Sequence, residues 1–348
     1  MQLYRKPPSV IGLDIGTSTV KAVKMSRKGK GYLLEKFATE QIEEGVFQGG
    51  ELKDPSSLAQ TMKTVVAKID RTIKDVVIAL PNSAILSDVI SIDIVPDKQI
   101  REAVMVEAER LSPFDMTEVE IDYQVLERNQ ELKQMKVLMV AAKHDIIYAY
   151  ADCLNEAGLR PAVMDVDLFA LINIFEINYD IEKYPTSILI NIGMETTDAL
   201  FMQKGMFHSS RDISVTGSHF VKSLESVQGL DGKKIHDILN GTVESDLEVD
   251  RIIAALNNTS KEFANAVGVS VSFLQSTETI DKFDAIVLAG GFAHVPGLAN
   301  VIELRTGAEV IMLDPLQKVI FKEGLLADLG REKAGTLLAV AMGLATRT

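Results

Sequence analysis

The sequence predicts an α/β protein of two like domains around a cleft, and three observations carry that prediction. At 348 residues the chain exceeds one ordinary domain and suits two of roughly 150 residues each. With 47% hydrophobic residues it can bury a sizeable core, which excludes a disordered chain. Residues 10–25 hold an apolar run, one acid, a glycine, three hydroxyl residues and a second apolar run, and residues 187–202 repeat that strand–glycine–strand device.

Val10, Ile11 and Leu13 have the aliphatic character of a buried strand. Gly16 allows a tight turn, after which peptide N–H groups can point into one concavity that suits an anion. Thr17, Ser18 and Thr19 add hydroxyl donors, and Lys21 adds a point charge able to reach phosphate oxygens. Asp14 would repel phosphate directly, so its natural place is beside a Mg²⁺ that the phosphates share. An ordinary hairpin with a polar turn has the same spacing, and spacing alone does not choose between them.

Gly31–Phe37 reads as a third strand and Glu40–Gly50 as a loop. Pro55–Ile69 has helical spacing, with Leu58, Met62, Val65, Val66 and Ile69 on one face. Asp75–Leu80 is a strand ending at Pro81. Three strands and a helix before a crossover are what one half of a ribonuclease-H-like domain requires.

Residues 83–155 change style. Ile85–Val95 alternates as an amphipathic strand, Asp97–Leu111 is a helix, and Ile121–Arg128 and Lys136–Ala142 are strands. His144–Gly158 is a helix closed by its glycine. This β-α-β-β-α piece is expected as an inserted subdomain at 83–155, splitting a first domain into 1–82 and 156–182. Within the latter, Pro161–Val166 is a strand and Leu168–Asn178 a helix.

A second domain is expected at 183–330. Ser187–Ile192, Thr197–Met202 and Met206–Asp212 are its successive strands, and Ser218–Val227 is a helix. Residues 229–281 read as a helical subdomain, Phe283–Ala289 as a buried strand before Gly290 and Gly291. The last segment, 331–348, carries an apolar helix at 334–346 expected to pack back on the first domain.

A formal charge of −13 argues against a nucleic-acid partner, because binding phosphate backbones needs clustered Lys and Arg. The single cysteine, Cys153, forbids an intrachain disulfide and reads as a buried small hydrophobe. The five histidines are scattered, without metal-ligand spacing. The first residues lack the apolar core of a signal peptide, and 334–346 falls short of the ~20 residues a membrane helix needs. A cytoplasmic, non-spanning protein is expected.

Residues 14–21 resemble the first phosphate loop of the actin-like ATPase superfamily, which includes actin, the Hsp-type chaperones, sugar kinases and FtsA. The resemblance implies an actin-like ATPase fold: two ribonuclease-H-like domains around a nucleotide cleft holding ATP or ADP with Mg²⁺. It puts Asp14 near the metal and its water, Gly16, Thr17 and Ser18 around the phosphates, and Lys21 on a phosphate. Residues 188–197 resemble the second phosphate loop, with Asn191 where an acid is usual, and Gly193 and Thr196 in place. An amide oxygen can coordinate a metal but brings no negative charge. In 164–171, resembling the connecting strand and helix, Asp167 fits the residue that orients water; it would equally cap the following helix. Residues 285–298 resemble the adenosine loop, where Gly290 and Gly291 let backbone approach the purine. Residues 262–273 resemble a helix that offers charges to the ribose, yet Ala266 and Val269 stand at those positions.

Residues 96–114 and 119–126 resemble the PilM family of type IV pilus assembly, and 140–147, 157–166 and 210–218 continue the likeness, which runs from Val10 to Ala345. FtsA shares the inserted small subdomain but carries an amphipathic membrane helix on a C-terminal linker, where this chain ends directly after its apolar helix. The secretion-system relative would continue into a membrane span. No glycine-flanked acid suits the sugar pocket of a kinase. The PilM resemblance implies an adaptor whose groove, between the first domain and the insertion, takes the N-terminal cytoplasmic tail of PilN. Other platform and motor proteins of the pilus would be further partners, and the inner membrane would be reached only through a partner. Glu107, Glu109, Glu118, Glu120 and Asp122 cluster in sequence around the insertion and could meet a basic tail, or simply form a solvated face. The alternatives are an FtsA-like division or secretion-system homologue, or a Mg-ATPase or kinase using Asp14 and Asp167 as its catalytic acids. Asn191 and the apolar ribose helix favour an adaptor with at most weak ATPase activity.

Overall fold

The computed structural model describes residues 10–347 apart from 112–113, 240, 242–248, 278–279 and 328. Parts of the expected first domain (1–9) and helical subdomain (242–248, 278–279) therefore lie outside the described residues.

The first sheet begins as an antiparallel meander of β1 (Ile11–Ile15), β2 (Thr19–Lys28) and β3 (Gly31–Gln41). A small hairpin, β4 (Phe47–Gln48) and β5 (Glu51–Leu52), leads to α1 (Pro55–Ile69). The Asp54 carboxylate accepts the Ser57 N–H at 3.1 Å and Pro55 opens the helix, so orphan donors at its start are satisfied or missing. Leu58, Met62, Val65, Val66 and Ile69 are all buried, as the spacing predicts. Then β6 (Asp75–Leu80) returns parallel to β1.

Next come β7 (Ile85–Asp93), α2 (Ile100–Leu111), β8 (Val119–Asn129), β9 (Gln134–Lys143), α3 (His144–Glu156), β10 (Arg160–Val166) and α4 (Asp167–Asn178). The second half holds β11 (Ser187–Ile192), β12 (Thr197–Gln203), β13 (Met206–Asp212), α5 (Gly217–Glu225), α6 (Gly232–Leu239) and α7 (Val249–Thr277). It continues with β14 (Ala285–Ala289), α8 (Leu298–Thr306), β15 (Glu309–Met312), β16 (Val319–Phe321) and α9 (Arg331–Ala345).

The two large sheets run β10-β6-β1-β2-β3-β16 and β15-β14-β11-β12-β13. Leaving β16 aside they share one topology: a central strand, two antiparallel neighbours on one side and two parallel ones on the other. One core, containing Val23, Ile174, Phe175, Leu200, Val287 and Leu338, draws on both sheets with α4 and α9. Helices α1 and α3 cover the other face of the first sheet, and α5, α7 and α8 that of the second. A third sheet, β7-β9-β8, is separate and is covered on one face by α2.

The apolar α9 is buried nearly all round, as a helix without a polar face must be. A Cβ on Gly343 would fall on the Ala170 carbonyl of α4, so this crossing is closer than any larger residue permits. Beyond its end, the Arg347 guanidinium bonds the buried Asp165 carboxylate of β10.

The structure departs from the expected boundaries in three places. Helix α3 packs through Tyr150, Cys153 and Leu154 against α1 in the core of the first domain, not on the inserted sheet, because its apolar face matches that core. Burial pushes the Cys153 thiol up to about 11. Strand β16, expected in the second domain, pairs parallel with β3 of the first, Val319 opposite Tyr32. Strand β3 also runs to Gln41, into the expected loop, because ten pairs with β2 outweigh its polar residues. Between Gly291 and residue 334, where the pattern marks no element, lie α8, β15 and β16.

Candidate functional site

Between the two large sheets lies a cavity of about 510 Å³, lined from both halves. Asp14, Gly16, Thr17, Ser18 and Lys21 reach it from the β1–β2 hairpin; Asn191, Gly193 and Thr196 from β11–β12. Asp167 lines it from the start of α4, and Gly290 and Gly291 from the end of β14. Tertiary structure thus brings to one cavity every residue of the two hairpins, of the α4 start and of the Gly290–Gly291 loop that the resemblance places around a nucleotide.

The two hairpins have the same geometry. The Gly16 N–H donates to the Thr19 carbonyl at 3.2 Å, and the Gly193 N–H to the Thr196 carbonyl at 2.9 Å. A Cβ on either glycine would stand 3.0 Å from that carbonyl, so each turn is as tight as its glycine allows. Two further bonds hold the second hairpin: the N–H groups of Gly217 and Ser218 donate to the carbonyls of Gly193 and Met194, each at 2.8 Å. Gly290 has φ +91°, and a Cβ there would sit 2.8 Å from Asn191 Oδ1. Its N–H donates to the Thr336 carbonyl of α9 at 3.1 Å, so α9 closes the cleft as a wall.

Electrostatics concentrate on four acids. Asp14 and Lys21 are opposite each other in the β1–β2 register, and Lys21 Nζ donates to Asp14 Oδ2 at 3.0 Å. Asp167 is the first residue of α4 and not its cap; its carboxylate accepts the N–H of Leu168 at 2.7 Å. Burial, then the negative charges of Asp198, Asp14 and Asp165, hold its carboxyl well above the usual carboxylate range. Asp198, on β12 two residues past Thr196, is 4% exposed and faces Asp212 across the β12–β13 register. Asn82, at the end of the first domain's β6, donates Nδ2 to both carboxylates at 3.3 Å. Burial and the nearby Asp212 push the Asp198 carboxyl up to about 7. No sequence pattern singled out Asp198, Asp212 or Asn82; the β12–β13 register joins the two acids, and Asn82 reaches them only through the docking of the halves.

The ribose helix is corrected. Val269 on α7 is 66% exposed, and neither it nor Ala266 lines the cavity. From this side of the second half α6 reaches the cleft instead, through His236 and Leu239, with Phe292 beside them. Nothing in the local pattern of α6 signals this, whereas Thr336 and Lys333 of α9 stand out as polar residues heading an apolar helix.

Of the acids expected in a partner groove, Glu118, Glu120 and Asp122 are exposed around β8, an open edge of the third sheet. Glu120 Oε1 accepts from Arg101 at 3.4 Å. Glu120 and Asp122 alternate with Val119 and Ile121, which face α2, and so lie on the opposite face of that sheet. Glu107 does not join them. It sits on α2, paired with Arg110 at 2.7 Å, because α2 packs on the other face.

Paired sheets of one topology, facing hairpins with a shared turn, and a glycine-floored cleft between them define an actin-like ATPase fold. Two solved structures share that fold at lower identity. The ethanolamine utilization protein EutJ from Carboxydothermus hydrogenoformans is 16% identical, with a TM-score of 0.57 over 97% of this chain and 89% of that one. MreB 5 of Spiroplasma citri, solved bound to AMPPNP, is 14% identical, with a TM-score of 0.53 over 97% and 95%. The model of the type IV pilus assembly protein PilM matches residues 12–348, and the chain belongs to that family. A structure of a PilM–PilN type IV pilus biogenesis complex is 26% identical, with a TM-score of 0.83, over 97% of this chain and 98% of that one. Among the described residues no helix is long and apolar enough to cross a membrane.

Proposed function

We propose that this chain is a nucleotide-binding adaptor of the type IV pilus platform, holding ATP or ADP with Mg²⁺ in its cleft and docking the N-terminal tail of PilN. The observation that carries the nucleotide reading is the pair of facing hairpins with tight glycine turns that line one cavity, a backbone arrangement that suits an anion. The residues fit such a ligand. Backbone N–H groups and the hydroxyls of Thr17, Ser18 and Thr196 would hold phosphates, with Lys21 as counter-charge, and Asp14 would hold Mg²⁺ directly or through water. Gly290 and Gly291, with Phe292 and Leu239, would bound the base. Bound Mg²⁺ would neutralise phosphate charge between the two halves.

The chain's own residues argue for slow chemistry. Asn191 supplies an amide where a carboxylate would bring charge. Asp167 points to the competing ATPase reading, because a carboxyl with a raised pKa in a cleft can accept a proton from water. Phosphate release from pure protein, with and without a PilN tail peptide, separates them: turnover that saturates with ATP and vanishes in Asp167→Asn favours the ATPase.

The partner groove is proposed between the first domain and the third sheet, where β8 offers an edge for strand addition and Glu118, Glu120 and Asp122 offer negative charge to a basic tail. The complex of a PilM relative with PilN supports this choice of partner. The protein would then sit in the cytoplasm, peripheral to the inner membrane, through that partner. In cell fractionation it should sediment with inner membranes when PilN is intact and become soluble when the tail is deleted.

A further inference from the structure

The end of the first sheet carries a cluster of cations that the nucleotide and partner readings leave unused. The β2–β3 hairpin presents Arg27, Lys28 and Lys30 within four residues, all exposed. The ends of β16 bring Lys318 beside the hairpin and Lys322 four positions further along β3, because Val319 pairs with Tyr32 and Phe321 with Leu34. None of these five has a carboxylate within 4.0 Å among the described residues; Arg27 instead stacks 5.4 Å from the Tyr32 ring.

The surface between them holds Leu33 and Ile320. Register places Lys28, Leu33 and Ile320 on one face, since Ser26 pairs with Leu33 and Leu33 with Ile320. Helix α1 covers that face over Val20, Ala22 and Ala38 but ends at Ile69, whose carbonyl receives Lys36 Nζ at 3.3 Å. Past that point, among the described residues, Leu33 is half-buried and Ile320 is 49% exposed. Lys28, Lys318 and Lys322 around Leu33 and Ile320, with Lys30 at the turn and Arg27 at the sheet's edge on the other face, make a basic patch on a chain of charge −13.

We propose that this face rests on the anionic headgroups of a lipid bilayer. Charge complementarity selects the occupant, and the side chains select lipid over nucleic acid. Single strands are held by stacking on free rings, yet here the available ring, Tyr32, is occupied by Arg27, and aliphatic residues fill the middle. Glu323 and Glu35 beside Lys322 lower the charge at that corner, while acids more than about 8 Å from the surface are screened in physiological salt. Each Lys or Arg near an anionic leaflet contributes roughly 1 kcal/mol, about fivefold in binding. A patch of this size binds reversibly, and tethering by a membrane partner would raise its effective concentration. It would orient the adaptor with the hairpin end down. The inference adds to the adaptor reading, and its test needs no partner.

The test is co-sedimentation of the full chain with vesicles of phosphatidylcholine alone or mixed with phosphatidylglycerol, at low salt and at high salt. Binding is expected only to the anionic vesicles, falling steeply with salt. Arg27→Glu/Lys28→Glu/Lys30→Glu should reduce it to the neutral-vesicle level, and Lys318→Glu/Lys322→Glu should weaken it roughly tenfold or more. Both variants change exposed side chains, and unchanged melting verifies that they fold. Equal binding to neutral vesicles, retention by both variants, or tighter binding to an oligonucleotide than to anionic vesicles would overturn the proposal. So would no vesicle binding at all, the result for lysines that merely keep an edge strand from pairing.

Discussion

Asp198→Asn tests whether the carboxyl pair at the junction of the two halves behaves as its geometry requires. In the folded chain Asp198 titrates near 7, against an ordinary value of 3.8, because it is buried against Asp212 with Asn82 between the two carboxylates and the other half of the molecule. The unfolded chain loses this proton first as pH rises. Between those two values the folded state therefore holds one proton more, and its stability falls by about 1.4 kcal/mol per pH unit. The whole window is worth on the order of 4 kcal/mol, present below about pH 4 and lost as pH passes 7. Asparagine removes the titration and supplies a donor to Asp212 in place of the shared proton, while its amide oxygen still accepts from Asn82. Urea unfolding from pH 5 to pH 8 should show the natural chain losing stability steadily. The variant should lose less per pH unit and should be the more stable of the two at pH 8, by up to a few kcal/mol. Asp167, whose carboxyl is raised partly by Asp198, should also titrate lower in the variant. Parallel pH slopes, or a variant less stable at pH 8, would refute the buried shared-proton account.

In the cleft, Asp14→Ala and Lys21→Ala should each weaken Mg-nucleotide binding about tenfold or more by calorimetry, the scale of a lost charged contact. Only the Asp14 effect should disappear when Mg²⁺ is chelated; equal losses with and without metal would remove Asp14 from the metal's side. Gly343→Ala should lower stability by about 1–3 kcal/mol although alanine favours helix, because the Ala170 carbonyl it meets is backbone and cannot turn away. A raised urea midpoint would contradict that. Glu118→Lys with Glu120→Lys should weaken a PilN tail complex several-fold at low salt and much less at high salt, since exposed charges are screened; an effect independent of salt would assign these residues a different role.

Local chemistry was enough to reveal the longer strands and the two glycine hairpins. An apolar run broken by Asp14, Gly16 and hydroxyl residues makes the same turn wherever it stands, and the recurrence at Asn191–Thr196 announced a second sheet of the same kind. The face of α1 was legible for a similar reason, since period alone puts Leu58, Met62 and Val65 on one side. What the sequence could not contain was the choice among several compatible partners. Helix α3 has an apolar face that either the inserted sheet or α1 could cover, and packing against α1 settled it. Strand β16 is three residues long, too short to declare a sheet, and gained its place only from the open edge of β3. The cleft is lined by α6 instead of α7, because a residue lines a cleft by where its helix docks and not by its neighbours in sequence. Asp198, Asp212 and Asn82 carry the same lesson at its sharpest. Their spacing across 130 residues has no period: the β12–β13 register sets Asp198 against Asp212, burial raises the Asp198 carboxyl, and Asn82 reaches both only from the other half.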